Sequence, residues 1–147
     1  MEQSKEAVKK IPRSGKKNRT KGHGYEIKIS NMLKDLGLVK TKTSRAASKL
    51  YDDCGIDHWG AVLPTGDLIL TQCKSGYKNS RPKADVEFKN QIEKMKTHFP
   101  KGSKELDTNN MQILFHKIDD YRPENHLVTM KYDDFVKLLK SFIDAHN

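Results

Sequence analysis

The chain has 147 residues, with 28 Lys and Arg against 19 Asp and Glu, six His and a formal net charge of +9, which fits one domain better than two. At this size folding hides roughly 70% of the surface that the unfolded chain exposes, so a packed core is feasible without disulfides or a structural metal. No apolar run approaches the ~20 residues that span a bilayer, and the first residues lack the apolar core of a signal peptide. The expectation is a soluble, intracellular protein (cytoplasm or nucleoid, or a host cell if the source is viral), neither secreted nor in a membrane. Cys54 and Cys73 match neither a CxxC pair nor a four-ligand zinc pattern, so they read as reduced thiols.

In chain order, residues 1–21 mix Lys, Ser, Gly and Pro with few apolar side chains and read as a disordered basic arm, leaving 22–147 as the folded domain. Tyr25, Ile29, Met32, Leu33 and Leu36 form a helical stripe over 24–36 that Gly37 ends. Residues 38–44 predict a short strand, and 45–55 a loop or partial helix. Two strands, 56–63 and 67–74, flank Pro64-Thr65-Gly66 as a hairpin. Asp85 is placed to cap a helix with Phe88, Ile92, Met95 and Phe99 on its buried side, which Pro100 and Gly102 end. A loop at 101–110 precedes a strand at 111–116. Arg122-Pro123 turns the chain into a strand at 126–130, and the last helix, 132–145, gathers Tyr132, Phe135, Leu139, Phe142 and Ile143 as a core or dimer-interface stripe. The order predicts an α/β fold, a mixed β-sheet of about five strands flanked by helices.

The positive charge is unevenly distributed. Residues 1–22 hold eight basic and two acidic side chains, a net +6, so the rest carries +3. Two acid-free windows each hold four cations: Lys40, Lys42, Arg45 and Lys49 in 40–49, and Lys74, Lys78, Arg81 and Lys83 in 74–83. Subtracting those eight leaves the remainder of the body at −5. Localised Lys and Arg on an acidic body suit a polyanion whose phosphates release counterions on binding, although a solvated surface has the same composition.

Between those windows lies a chemical constellation. Leu68, Ile69 and Leu70 mark a strand buried on both faces, and it ends in Gln72-Cys73-Lys74. Gln72 and Lys74 share one face by strand alternation. A buried Lys needs a partner or a task. Asp57 joins that face if it lies opposite Lys74, with Leu63 opposite Leu68, or if a bulge intervenes; in register with Cys73 it would face away. An Asp, a second oxygen ligand and a Lys on neighbouring strand ends suit phosphodiester hydrolysis assisted by a hard cation, with the Lys orienting or deprotonating the attacking water. Glu26, beside the apolar stripe of the first helix, is placed to add a ligand. Asp52 and Asp53 lie in a segment whose course the pattern leaves open.

Asp52-Asp53-Cys54-Gly55-Ile56-Asp57 followed by Leu68-Ile69-Leu70-Thr71-Gln72-Cys73-Lys74 resembles the PD-(D/E)XK nuclease superfamily. "GID" followed by "QCK" is similar to Mrr-type restriction endonuclease domains, in which Gln replaces the usual Glu. Small size, Glu26 in the first helix, and Ser44, Arg45 and Ser48 ahead of the Asp look more like archaeal and phage Holliday junction resolvases. The resemblance covers residues 21–99. It implies a restriction-endonuclease-like core, Mg²⁺ (Mn²⁺ as a substitute), cleavage of branched DNA in recombination or repair, and a homodimer. By motif position Asp57 is a metal ligand, Gln72 stands at the Glu position, the Cys73 backbone carbonyl completes the shell, Lys74 assists the water and Glu26 is the helix acid.

Lys42, Arg45, Ser48, Lys49, Lys78, Arg81 and Lys83 are the expected DNA contacts. A sequence-specific restriction or homing-type nuclease and a non-catalytic nucleic-acid binder are the rival readings. His23 and His58 have no metal-ligand spacing and read as surface or sheet histidines. Trp59 is expected to pack inside the sheet sandwich.

Overall fold

The computed structural model describes residues 22–77, 80–118 and 126–147. The basic arm at 1–21, Lys78 and the Arg122-Pro123 turn lie outside the described residues. Helix α1 covers residues 22–35. It is followed by β1 (Lys42–Thr43), α2 (Ser44–Ala47), α3 (Lys49–Asp53), β2 (His58–Trp59), β3 (Ile69–Tyr77), α4 (Ala84–His98), a 3₁₀ turn (Lys104–Leu106), β4 (Met111–Ile118), β5 (Leu127–Met130) and α5 (Tyr132–Ala145).

The fold is α/β with a mixed sheet, as the pattern predicts, but the five strands divide between two sheets. β3 pairs in parallel with β4, and β4 antiparallel with β5; β1 and β2 form a separate antiparallel pair. The predicted hairpin is therefore only partial. Its two arms meet at an isolated bridge, Val62 with Leu68, one residue off the expected Leu63–Leu68 pairing. The cause lies at Gly60, which has φ 80° and sits so close to the Lys40 backbone that a Cβ would approach Lys40 O to 2.6 Å. Only glycine tolerates both. The chain turns there, and β2 pairs with β1 instead of continuing along β3.

The three-stranded sheet has a core on each face. Ile69, Ile113 and Phe115 meet Tyr25, Ile29 and Leu33 of α1, at i, i+4, i+8 spacing. Leu70 meets Tyr51, Cys54, Ile56, Met95 and Phe99 on the other. Strand alternation thus buries β3 on both sides. α1 ends in a Schellman motif: Gly37, at φ 116°, donates to Lys34 O and Leu38 donates to Leu33 O. Leu36, predicted in the buried stripe, lies within this turn, just past the last helical residue, and is 74% exposed.

Three further expectations change. The strand expected over 38–44 is only Lys42–Thr43, because Ser44 opens α2 and its N–H donates to Asp57 O at 2.9 Å. The cap position of α4 is Lys83, without a side-chain cap bond, and Asp85 is a first-turn acid, favourable for the helix dipole. Trp59 is 39% exposed, because β2 belongs to the outlying pair and not to the sandwich.

Leu70, 2% exposed at the centre of the second core, gives a direct test of the packing. Leu70→Ala is expected to lower unfolding free energy by about 2–5 kcal/mol, the usual range for a buried Leu truncation, as read by urea denaturation.

Candidate functional site

Gln72 and Lys74 extend from β3 towards α4. The Gln72 amide donates to Glu87 O at 3.4 Å, and Lys74 Nζ pairs with the Glu87 carboxylate at 3.1 Å. Asp57 reaches the same strand end from an irregular segment. The ladder Leu63 N–H to Asp67 O and Ile69 N–H to Ala61 O gives way to Asp57 N–H donating to Thr71 O at 3.0 Å. Between those bonds the 57–61 segment holds two residues more than β3 does. The regular register is absent, and a bulge-like insertion replaces it. Through it the Asp57 carboxylate accepts the Cys73 N–H at 2.6 Å.

Glu26, Arg45, Asp57, Gln72, Lys74 and Glu87 line one polar cleft of about 210 Å³. Two larger clefts, of about 560 and 620 Å³, run along α4. Their walls include Phe88, Ile92, Phe99 and Leu106, with neither Asp57 nor Lys74 among them. The residues of the sequence constellation, Asp57, Gln72, Lys74 and Glu26, converge in the smaller one.

Burial pushes the Asp57 carboxyl up to about 7. The Cys73 N–H and the Lys74 cation oppose this, while the nearby carboxylates of Glu26 and Asp52 add to it. Glu26 is buried at 4% exposure, and Arg45 Nε donates to both its oxygens at 3.2 Å. This places Arg45 at the mouth of the site, tied to the helix acid. The Cys73 thiol is pushed well up, chiefly by burial and then by Asp57 and Glu26, so it stays neutral.

His58 positions the cluster. It is fully buried, with Nε2 at 2.7 Å from the Glu26 backbone carbonyl and Nδ1 at 2.7 Å from Thr71 Oγ1. A carbonyl only accepts, so Nε2 carries the proton and Nδ1 accepts from the Thr71 hydroxyl. Burial lowers its pKa and keeps the ring neutral. One side chain thus ties α1 at Glu26 to β3 beside Gln72. It acts as the sheet histidine the sequence suggested.

The donor set fits a hard cation. Asp57 supplies a carboxylate, Gln72 an amide oxygen and Cys73 a backbone carbonyl, all oxygen ligands of the kind Mg²⁺ takes. The Gln72 Oε1 atom is buried and has no hydrogen-bond partner. A buried acceptor left without a partner is expensive, and a cation would satisfy it. Among the described residues no three His, Cys, Asp or Glu side chains converge as a closed cage.

Of the expected DNA contacts, Lys42, Arg45, Lys49, Arg81 and Lys83 are exposed. Lys49 is paired with Asp53 at 3.2 Å. Ser48 is the N-cap of α3, accepting the Tyr51 N–H at 3.2 Å. The structure does not bring Asp53 into the cleft.

Four residues lining the cleft escape a sequence reading: Glu87, Asn90, Gln91 and Lys94 of α4. Their spacing of three and four marks one helical face, yet nothing in the sequence docks that face on β3. Gln91 is buried, donating to Gly55 O at 3.0 Å and Thr71 O at 3.4 Å and accepting from Gln112 at 2.8 Å. Comparison with family models, curated proteins and solved structures found no match.

Proposed function

We propose that the chain is a metal-dependent DNA endonuclease of the PD-(D/E)XK type, with a restriction-endonuclease-like core, selective for branched DNA and working as a homodimer. The observation that carries this reading is the meeting of the Asp57 carboxylate, the orphaned Gln72 Oε1 and Lys74 Nζ in one polar cleft at the end of a buried strand. Asp57, Gln72 Oε1 and the Cys73 carbonyl would hold Mg²⁺, or Mn²⁺ in its place. Bound there, the cation supplies Lewis acidity to the phosphate and lowers the pKa of water. Lys74, paired with Glu87, would orient or deprotonate the attacking water, as the motif position implies. Glu26 acts through Arg45, which it aims at the mouth of the cleft, where a DNA phosphate would lie.

Shape rather than base sequence is the favoured specificity. The cations assigned to DNA would meet phosphates, and phosphate contacts carry position but no sequence. With millimolar Mg²⁺ the full chain is expected to cut a synthetic four-way junction in preference to a linear duplex of the same sequence. Preference for the duplex would assign the chain to the restriction type. No cleavage of any DNA form with Mg²⁺ or Mn²⁺ would leave a DNA-binding protein without catalysis.

A further inference from the structure

α5 is amphipathic and is turned the wrong way round for a monomer. Its buried residue is Asp134, whose carboxylate accepts the Gln112 N–H at 3.2 Å, and Lys137 Nζ donates to Thr108 O at 3.3 Å. Leu138, Ser141 and Ala145, on the same side, line a cleft of about 600 Å³ against Leu63, Pro64 and Met111. At 100° per residue the opposite side gathers Tyr132, Phe135, Val136, Leu139, Phe142 and Ile143. All six are exposed, Tyr132 at 81% and Phe142 at 62%. The polar side therefore faces the body and the apolar stripe faces outward.

We propose that this stripe is the surface on which a second copy of the chain docks, α5 against α5 about a two-fold axis. Three features select that occupant. The six side chains pair at a spacing of seven (132 with 139, 135 with 142, 136 with 143), the seam along which two helices interlock, and a stripe identical in both copies is self-complementary about a two-fold axis. Together they expose on the order of 700 Å² of apolar surface, more than monomers usually carry and close to the ~800 Å² that each partner gives to a standard interface. Finally, the outward charges of α5 balance, Asp133 and Asp144 against Lys137 and Lys140 with Asp134 turned to the body, so the helix carries no net charge to draw the stripe onto anionic lipid or DNA. The arm at 1–21, with only Met1, Ala7, Val8 and Ile11 as non-aromatic apolar residues and no aromatic ones, has too little apolar surface to cover the stripe.

The proposal deepens the homodimer of the functional reading by naming its surface, but it stands on that surface alone, so its test reads mass and not cleavage. Light scattering after gel filtration of the full chain at tens of micromolar is expected to give about twice the monomer's 16.9 kDa. Leu139→Glu with Phe142→Glu should give a folded monomer by far-UV circular dichroism. Should that pair lower helicity, Leu139→Ala with Phe142→Ala should still weaken dimerisation at least tenfold. A monomeric wild type overturns the proposal, and its co-sedimentation with phosphatidylcholine–phosphatidylglycerol vesicles would reassign the stripe to lipid. A dimer of unchanged mass and dilution behaviour in both variant pairs overturns it as well. Either mass result leaves the nuclease reading to be judged by its own cleavage assay.

Discussion

Asp57→Asn is expected to lower the single-turnover rate of DNA cleavage at least ~10³-fold, a loss of about 4 kcal/mol of transition-state stabilisation, while DNA affinity changes by less than threefold. The substitution keeps the side chain's shape, and its amide oxygen can still accept the Cys73 N–H. What it removes is charge. Gln72 and the Cys73 carbonyl are neutral ligands, Glu26 is tied to Arg45 and Glu87 to Lys74. A cation in this cleft therefore depends on Asp57 more heavily than in a site with Glu at position 72. Two companion results are expected. Lys74→Ala should cost ~10²–10⁴ in rate, the range of a positioned group acting in the transition state. Gln72→Glu should lower the Mg²⁺ concentration needed for half-maximal cleavage, because a second carboxylate joins the shell. Wild-type rates in Asp57→Asn would remove Asp57 from the metal site.

How much of this was legible in the chain depends on which forces set each part. β3 was legible because burial on both faces writes a continuous apolar run, Leu68-Ile69-Leu70, and its polar ending Gln72-Cys73-Lys74 is conspicuous against that run. α5 was legible to the residue, since 3.6-residue periodicity is a local property. Its orientation was not: the same stripe serves a core or an interface, and the bonds of Asp134 to Gln112 N–H and of Lys137 to Thr108 O hold the opposite face to the body. The Asp57 approach was half legible. Face parity demanded either one register or an insertion, but the choice was made by Gly60 against Lys40, residues distant along the chain whose contact no periodicity announces. The α4 contribution was hidden for a similar reason. Glu87, Asn90 and Lys94 read as an ordinary solvated face until β3 supplies Lys74 as a partner, and Gln91 becomes a core residue only because the Gly55 and Thr71 carbonyls need a donor. The charge windows were legible as composition, while the pairing of Lys49 with Asp53 shows that a cation in a basic window need not be available to a phosphate.

The second large effect concerns stability in EDTA. Asp57 is pushed up to about 7 in the folded chain against 3.8 for an ordinary Asp. Below pH 4 both the folded and unfolded chains hold its proton, and it contributes no pH dependence. Between about pH 4 and pH 7 the unfolded chain has released the proton while the folded chain retains it, so the unfolded state binds fewer protons and stability falls as pH rises. Above pH 7 the carboxylate is ionised in both states, and the cost of holding a desolvated charge is complete. Asp57→Asn carries no such charge. Relative to the variant, the wild type should therefore lose stability from pH 4 to pH 7 and level off beyond it, by about 2–4 kcal/mol, the upper figure being the full shift at ~1.4 kcal/mol per pKa unit and the lower allowing for solvent at a partly exposed residue. Taking the difference between the two urea curves cancels the other carboxylates, whose acid titration is common to both. Mg²⁺ in place of EDTA should restore stability to the wild type at pH 8 far more than at pH 5, and should leave Asp57→Asn unmoved at either pH. A difference curve flat from pH 4 to pH 8 would mean that the carboxylate is solvated, leaving the unpartnered Gln72 Oε1 as the cleft's remaining demand for a cation.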